Sequence, residues 1–251
     1  MTVQQHNWQP STPAARAMSP QPVELDSVLD RGQVWRGRHW PEREQRGLQT
    51  GHAGLDELLA EQGWPRGALT EVLYRQHGIG EMQLLVPALV ELSRQDRWIM
   101  LIAPPFAPNA AALEAAGVDT SRLLIVHPGS VRNLLWTLEE SLHSGTCSAV
   151  LAWPRQLEPK SVRRLQLAAE KGGSLGLLFR PEQQADEASP AALRLRLAPA
   201  SRGLTEVTVL KQRGGWGQTP AQLDLGLATP KPRQTADADT RAEVIQGPWQ
   251  G

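Results

Sequence analysis

Residues 50–85 read TGHAGLDELLAEQGWPRGALTEVLYRQHGIGEMQLL, and the rest of the chain is organised around them. Their spacing predicts an amphipathic helix that ends at Gly63, a short apolar strand over residues 68–73, and a second helix that begins near Glu81. A loop that contains two glycines, residues 75–80, joins the strand to the second helix. Strand, glycine loop and helix follow one another in the order of a phosphate-binding loop.

This loop has the glycines of a nucleotide site without its other side chains. A working loop carries a lysine for the β- and γ-phosphates and a serine or threonine for Mg²⁺. If Gly80 is the second glycine, Glu81 stands at the lysine and Met82 at the hydroxyl. Arg75 then stands at the first glycine, and the register with Gly78 as the second glycine also supplies no lysine or hydroxyl. Because a carboxylate at a helix N-terminus repels a triphosphate, we predict a degenerate nucleotide loop.

A second nucleotide motif is also incomplete. A Walker B strand ends in an aspartate that holds Mg²⁺ through water, whereas the apolar run 148–152 ends at Trp153 and Pro154. The lysine, hydroxyl and aspartate positions are therefore missing together. We predict that the protein does not hydrolyse ATP, has no catalytic residue and needs no cofactor.

Composition excludes several other classes of protein. The 251 residues are 40% apolar, which suits one folded core with tails, and 26 basic residues balance 26 acidic ones. A net charge of zero gives no overall attraction to nucleic acid. The single Cys147 excludes an intramolecular disulfide and fits a reducing compartment. Without a membrane-length apolar run, a signal peptide or histidines at metal-ligand spacing, we expect a cytoplasmic protein with no membrane contact and no metal site.

The pattern TG-x-x-x-LD-x-x-L followed by G-W-P-R-G-x-L-TE resembles the RecA core. The segment GWPRGALTEVL is more similar still to the ImuA proteins, which are RecA-like proteins of damage-inducible mutagenesis operons. The resemblance spans about residues 28–226 and implies a RecA-like fold with a non-catalytic accessory role in SOS-induced, error-prone translesion DNA synthesis. It also implies an ImuB-type Y-family polymerase homologue as partner, with RecA and an accessory DnaE-type polymerase as further partners.

Two other functions remain open at this point. An ATP-dependent recombinase-like protein would require lysine where Glu81 stands and aspartate where Trp153 stands. A SulA-type cell-division inhibitor, another shortened RecA-like relative, blocks the division protein FtsZ. Such inhibitors are usually shorter and lack the N-terminal arm and C-terminal tail of this chain.

Alternating strands and helices predict an α/β fold, with a mostly parallel sheet flanked by helices and antiparallel strands at its end. The apolar runs predict strands at 69–73, 98–102, 123–126, 148–152 and 175–179, followed by alternating strands at 193–197 and 206–211. We expect four segments: a disordered tail (1–22), a helix and linker arm (23–48), a RecA-like core (49–228) and a second disordered tail (229–251).

Two sets of side chains are candidates for binding surfaces. The basic cluster Arg155, Lys160, Arg163 and Arg164 suits a weak contact with nucleic acid or a partner, although a solvated helix face is the favoured explanation. Basic residues further along the chain could extend this cluster if their strands present one edge: Arg194, Arg196, Arg202, Lys211 and Arg213. Trp35 and Trp40 belong either to a peripheral arm packed on the core or to a partner-binding arm. In the tail, three apolar residues are either incidental or form a short docking motif for a partner: Val244, Ile245 and Trp249.

Overall fold

The computed structural model describes residues 47–214 and 220–226. Both predicted tails and most of the predicted arm lie outside these residues, so the four segment boundaries stay predictions. The proposed docking residues of the arm and tail also lie outside the described part of the chain: Trp35, Trp40, Val244, Ile245 and Trp249.

Eight strands form one sheet in the described residues. They are β1 (Ala68–Tyr74), β2 (Trp98–Ile102), β3 (Leu123–Val126), β4 (Cys147–Ala152), β5 (Leu175–Pro181), β6 (Leu193–Pro199), β7 (Thr205–Gln212) and β8 (Ala221–Leu223). Their order across the sheet is β3-β2-β4-β5-β1-β6-β7-β8. The first six strands are mutually parallel, and β7 and β8 add antiparallel pairings. The predicted α/β class and mostly parallel sheet with antiparallel strands at its end are confirmed.

The described residues also contain five α-helices, of which the first precedes β1 and the other four connect successive strands from β1 to β5. They are α1 (Ala53–Asp56), α2 (Val86–Ser93), α3 (Ala110–Ala115), α4 (Val131–His143) and α5 (Pro159–Gly172). Short 3-10 turns occupy Thr120–Arg122, Glu182–Gln184 and Ser201–Gly203. Over the described ranges, none of the helices combines the length and the apolar character needed to cross a membrane.

Helices cover both faces of the sheet, and each covered face forms its own apolar core. On β4, Ala149 and Leu151 point to the core that includes α2. The alternate residues Val150 and Ala152 point to the core that includes α4 and α5. Successive side chains of a strand face opposite sides of a sheet, so the continuous apolar run of β4 reflects burial on both sides.

The helix predicted before Gly63 is much shorter than expected. It ends after four residues because the chain turns back instead of continuing as a helix. Gly47 N donates a hydrogen bond to Glu61 O at 2.7 Å, and Leu48 pairs with Trp64 in an isolated antiparallel bridge. These contacts join residues that are far apart in sequence, and local periodicity carries no signal for them.

The second predicted helix begins later than expected. Residues 81–85 form turns, and α2 starts at Val86. Pro87 therefore lies in the first turn of the helix rather than inside it. At that position the missing proline N–H breaks no intrahelical hydrogen bond, which removes the irregularity expected from a proline within a longer helix.

Candidate functional site

The glycine loop lies at the carboxyl end of β1, between the parallel strands β5 and β6. Ligands of α/β proteins commonly bind at the carboxyl edge of a parallel sheet. The residues predicted for a degenerate nucleotide site meet at this edge, since the loop residues follow β1 and Trp153 follows β4. Arg75 and Gly78 are exposed, whereas Gly80 and Glu81 are buried and Met82 is partly buried.

The Glu81 carboxylate occupies the amide groups of this loop. Gly78 N donates to Glu81 Oε1 at 2.9 Å and to Oε2 at 3.1 Å, and Ile79 N donates to Oε2 at 3.0 Å. Backbone amides arranged in this way form an anion-binding concavity. Here the anion is a side chain of the protein itself, so a phosphate at these amides would have to displace a buried carboxylate.

A row of aromatic rings continues from the loop towards the ends of β4 and β5. Trp153 stacks on Phe179 with ring centroids 4.6 Å apart, and Tyr74 meets Phe179 edge-on at 6.3 Å. Burial, together with the nearby Glu81 carboxylate, raises the pKa of Tyr74. Its hydroxyl lies 3.0 Å from His77 Nδ1. The Walker B aspartate position is thus filled by an indole ring packed on a core side chain.

Potential metal ligands do not cluster in the part of the chain that the structure describes. No group of three or more histidine, cysteine or carboxylate side chains converges there. The thiol of Cys147 is buried, and burial raises its pKa. A buried thiol with a raised pKa is inert rather than nucleophilic.

The predicted basic cluster is exposed but partly neutralised. Lys160 Nζ lies 2.7 Å from a Glu158 oxygen, and Arg164 pairs with Glu139. Arg155 and Arg163 are exposed as well. The binding role of Arg155, Lys160, Arg163 and Arg164 stays a prediction.

Arg194 does not extend this cluster, contrary to expectation. Its side chain is buried, and its Nε donates to Glu71 at 2.7 Å. Arg180 on β5 is buried beside it and donates to the other Glu71 oxygen at 2.5 Å. The sequence pattern of β6 suggested exposed arginines on one face, whereas the sheet pairs β6 with β1 and places Arg194 directly opposite Glu71.

Exposed apolar side chains at the β3 end of the sheet were not predicted. β3 is an edge strand, and its Leu124 and Ile125 side chains are exposed. The following helix α4 exposes Val131 (69%) and Trp136 (60%). Leu124 and Ile125 are successive residues of β3 and therefore face opposite sides of the sheet. We call the four residues the edge surface because they lie on the edge strand and on the helix that follows it. The exposure of Trp136 could have been predicted, because it lies off the apolar stripe of α4. The position of β3 at the edge could not, because nothing in its apolar run distinguishes an edge strand from a central one.

An apolar edge strand next to an exposed tryptophan is typical of a protein-binding surface. Unpaired strand edges are templates for association, and tryptophan is prominent among the residues that dominate binding energy. The described residues therefore expose apolar side chains on β3 and α4. At the carboxyl edge of the sheet they hold a glycine loop whose amides are occupied by Glu81, which we call the self-filled loop.

Comparison with known proteins relates the chain to one family. The family model described as "Cell division inhibitor SulA" matches residues 67–176. The SulA of Serratia marcescens is 28% identical over 121 residues, which cover 48% of this chain and 72% of that protein. The SulA of Cronobacter sakazakii is 33% identical over 120 residues, which cover 47% of this chain and 71% of that protein. The crystal structure of SulA from Pseudomonas aeruginosa shares 30% identity, with 45% of this chain and 97% of that chain covered, at a TM-score of 0.38.

The family model and the relative from Serratia marcescens overturn the resemblance to ImuA. The expected role in translesion synthesis is therefore wrong, and so are the expected partners: the ImuB-type homologue, RecA and the DnaE-type polymerase. The motif that carried the resemblance consists largely of turn residues. Gly63, for example, is required because a Cβ there would lie 2.3 Å from Leu48 O. Such a glycine reports a local backbone approach that many folds share.

The comparisons favour the alternative of a SulA-type cell-division inhibitor, which the sequence had left open. A relative that is 33% identical and covered over 71% of its length establishes a common family. The family model covers β1 to the start of β5, which includes the self-filled loop and the whole edge surface. The chain therefore belongs to the SulA family.

Proposed function

We propose that this protein inhibits cell division by binding the division protein FtsZ, without binding or hydrolysing a nucleotide. The observation that carries the proposal is the 33% identity with the Cronobacter cell division inhibitor SulA, over 120 residues that cover 71% of that protein. FtsZ is the target already considered for a SulA-type inhibitor. An inhibitor of this kind acts through a surface rather than through bond chemistry.

The glycine loop supports the non-catalytic part of the proposal. The two amides that face a phosphate in a nucleotide site donate instead to Glu81. Met82 has no hydroxyl for Mg²⁺, and Trp153 stacks on Phe179 where an aspartate would be needed. A nucleotide would therefore meet a buried negative charge and no metal-holding group.

The edge surface supports the binding part of the proposal. Among the described strands, the one that carries Leu124 and Ile125 is paired on one side, through β2. α4, which carries Val131 and Trp136, packs against β2 and β4, so these side chains belong to the same end of the sheet. We propose that this end, with Trp136 as the main anchor, contacts FtsZ.

The proposed function can be tested with purified components. Added at a concentration equal to that of FtsZ, the full chain is expected to reduce the amount of polymerised FtsZ that pellets on centrifugation. Mg-ATP should not change the inhibition. When Mg-ATP is titrated into the protein in a calorimeter, no heat of binding should be measured. Expression in a bacterium should produce filamentous cells that fail to divide. Normal pelleting with an excess of the protein would contradict the proposal.

Substitution of Trp136 tests the proposed contact. Trp136→Ala is expected to weaken FtsZ binding at least tenfold, because loss of a central tryptophan typically costs more than about 1.4 kcal/mol. Its thermal unfolding should change little, because the side chain is 60% exposed. Leu167→Ala on α5 is the matched control, since Leu167 is 51% exposed but lies outside the edge surface. Equal inhibition by Trp136→Ala and the wild type would exclude the edge surface.

A further inference from the structure

A groove on the surface of the described residues lies beside the start of α2. Its walls come from four segments: the residue before α1, the turns and first residues of α2, the loop before α3 with α3 itself, and the residues that follow β8. Its volume is about 490 Å³, within the range of about 300–1,000 Å³ that is typical of binding sites. None of its lining residues belongs to the edge surface, so the groove lies beyond the contact proposed for FtsZ.

The lining of this groove is mostly apolar and carries little charge. Met82, Val86 and Leu113 contribute apolar side chains from its separate walls. Asp224 is the one carboxylate among the described residues that line it, and none of them is a lysine or an arginine. Burial lowers the pKa of His52, so its ring is neutral near pH 7. Because a charged group is costly to bury without a partner, the groove suits an uncharged apolar segment.

The chain leaves the described residues at the wall of this groove. β8 pairs with β7, which holds this part of the chain on the sheet. Leu225 is buried and packs against Gly80, where a Cβ would lie 2.5 Å from the Leu225 Cδ1. Asp224 Oδ1 accepts a hydrogen bond from Gly226 N at 2.9 Å. Since Asp224 and Leu225 both line the groove, the residues that follow Gly226 begin beside it.

The sequence beyond Gly226 contains one uncharged apolar segment. Residues 244–251, VIQGPWQG, carry no charged side chain, whereas residues 231–243 alternate basic and acidic ones. The large apolar residues of this segment are Val244, Ile245 and Trp249. Residues 227–243 can span up to about 60 Å, so the segment can reach a groove at which its own chain begins. An intramolecular contact of this kind has an effective concentration of the order of 1 mM, which populates even a weak interaction.

We propose that residues 244–249 dock in this groove of the same chain, with the Trp249 ring as the main anchor. A tryptophan buries a large apolar area and tolerates a partly polar surround through its N–H, which fits a groove lined by Met82 and Leu113 with polar residues at its rim. A second copy or another protein would have to bring an apolar segment from a separate molecule. The tail carries such a segment and is attached at the groove wall, and this favours it as the occupant.

Hydrogen exchange of the full chain, followed by mass spectrometry, is the first test. After correction for intrinsic rates, the amides of residues 244–249 should exchange about tenfold more slowly than those of residues 231–240. This protection corresponds to a dissociation constant of about 0.1 mM at an effective concentration of about 1 mM. Ala112→Gln, which places a larger polar side chain in the groove, should abolish it. Ala111→Gln is the matched control, because both alanines are exposed on α3 and Ala111 does not line the groove.

A photo-crosslinker, p-benzoylphenylalanine in place of Trp249, gives an independent measurement. Crosslinks should join position 249 to Met82 or Leu113 within one chain. In a mixture of isotopically labelled and unlabelled chains, crosslinks between the two kinds of chain would assign the groove to a second copy. Crosslinks to added FtsZ in place of the groove would assign the segment to that partner. Either result would overturn the proposal, as would unprotected amides over residues 244–249 or protection that survives Ala112→Gln.

Discussion

Glu71→Ala is expected to lower the free energy of unfolding by about 3–5 kcal/mol. Glu71 is fully buried on β1, where its two oxygens accept from Arg180 and Arg194 at 2.5 and 2.7 Å. Both arginines are themselves buried. Removal of the carboxylate leaves two guanidinium groups in the interior with no equivalent counter-charge, and an unpaired buried charge is far more costly than the pair itself is stabilising.

The effect should extend beyond the sheet, because Arg194 also orders the segment that follows β5. Its Nη1 donates to Ala185 O and Glu187 O, and its Nη2 donates to Gln184 O. If Arg194 moves towards solvent in the variant, these three carbonyls lose their donors. Hydrogen exchange in residues 182–187 should therefore accelerate in Glu71→Ala.

Urea unfolding followed by circular dichroism measures the loss of stability. Glu187→Ala is the matched control, since the Glu187 carboxylate lies 3.6 Å from Arg180 but is 54% exposed. Exposed pairs contribute about 0–1 kcal/mol, so that variant should unfold almost like the wild type. A difference of less than 1 kcal/mol between the two variants would contradict a stabilising role for the buried carboxylate.

The strands were the most predictable part of the fold. β2 and β3 have the predicted bounds, and β4 begins one residue earlier than predicted. Their apolar runs are bounded by polar or turn residues, and burial on both faces of a parallel sheet requires such runs. The pattern does not carry strand order. It therefore could not distinguish the edge strand β3 from the central β4, and it missed the exposure of Leu124 and Ile125.

The candidate site was predictable in its chemistry but not in its contacts. The charge of Glu81 indicated that a triphosphate would be repelled, and that interpretation needs only the loop sequence. The three hydrogen bonds from Gly78 and Ile79 depend on the backbone geometry of the loop.

Gly172→Ala is expected to destabilise the fold by about 3 kcal/mol, near the upper end of the usual cost of overpacking. Gly172 is the last residue of α5, and a Cβ there would lie 2.0 Å from Leu142 O and 3.0 Å from the His143 carbonyl. Both obstacles are backbone atoms of α4, so no side-chain rotation can relieve them. The two helices must separate, which also opens the core shared by Leu138, Leu142 and Leu165.

Gly173→Ala separates this steric cause from a conformational one. Gly173 has φ +62°, yet no atom outside its chain neighbours lies within 4 Å of the position that a Cβ would take. An alanine there meets only the left-handed backbone penalty, about 1–2 kcal/mol. Urea unfolding of the two variants should therefore rank Gly172→Ala as the less stable. The reverse order would mean that the ends of α4 and α5 can move apart at little cost, and that backbone conformation rather than helix contact selects glycine at this junction.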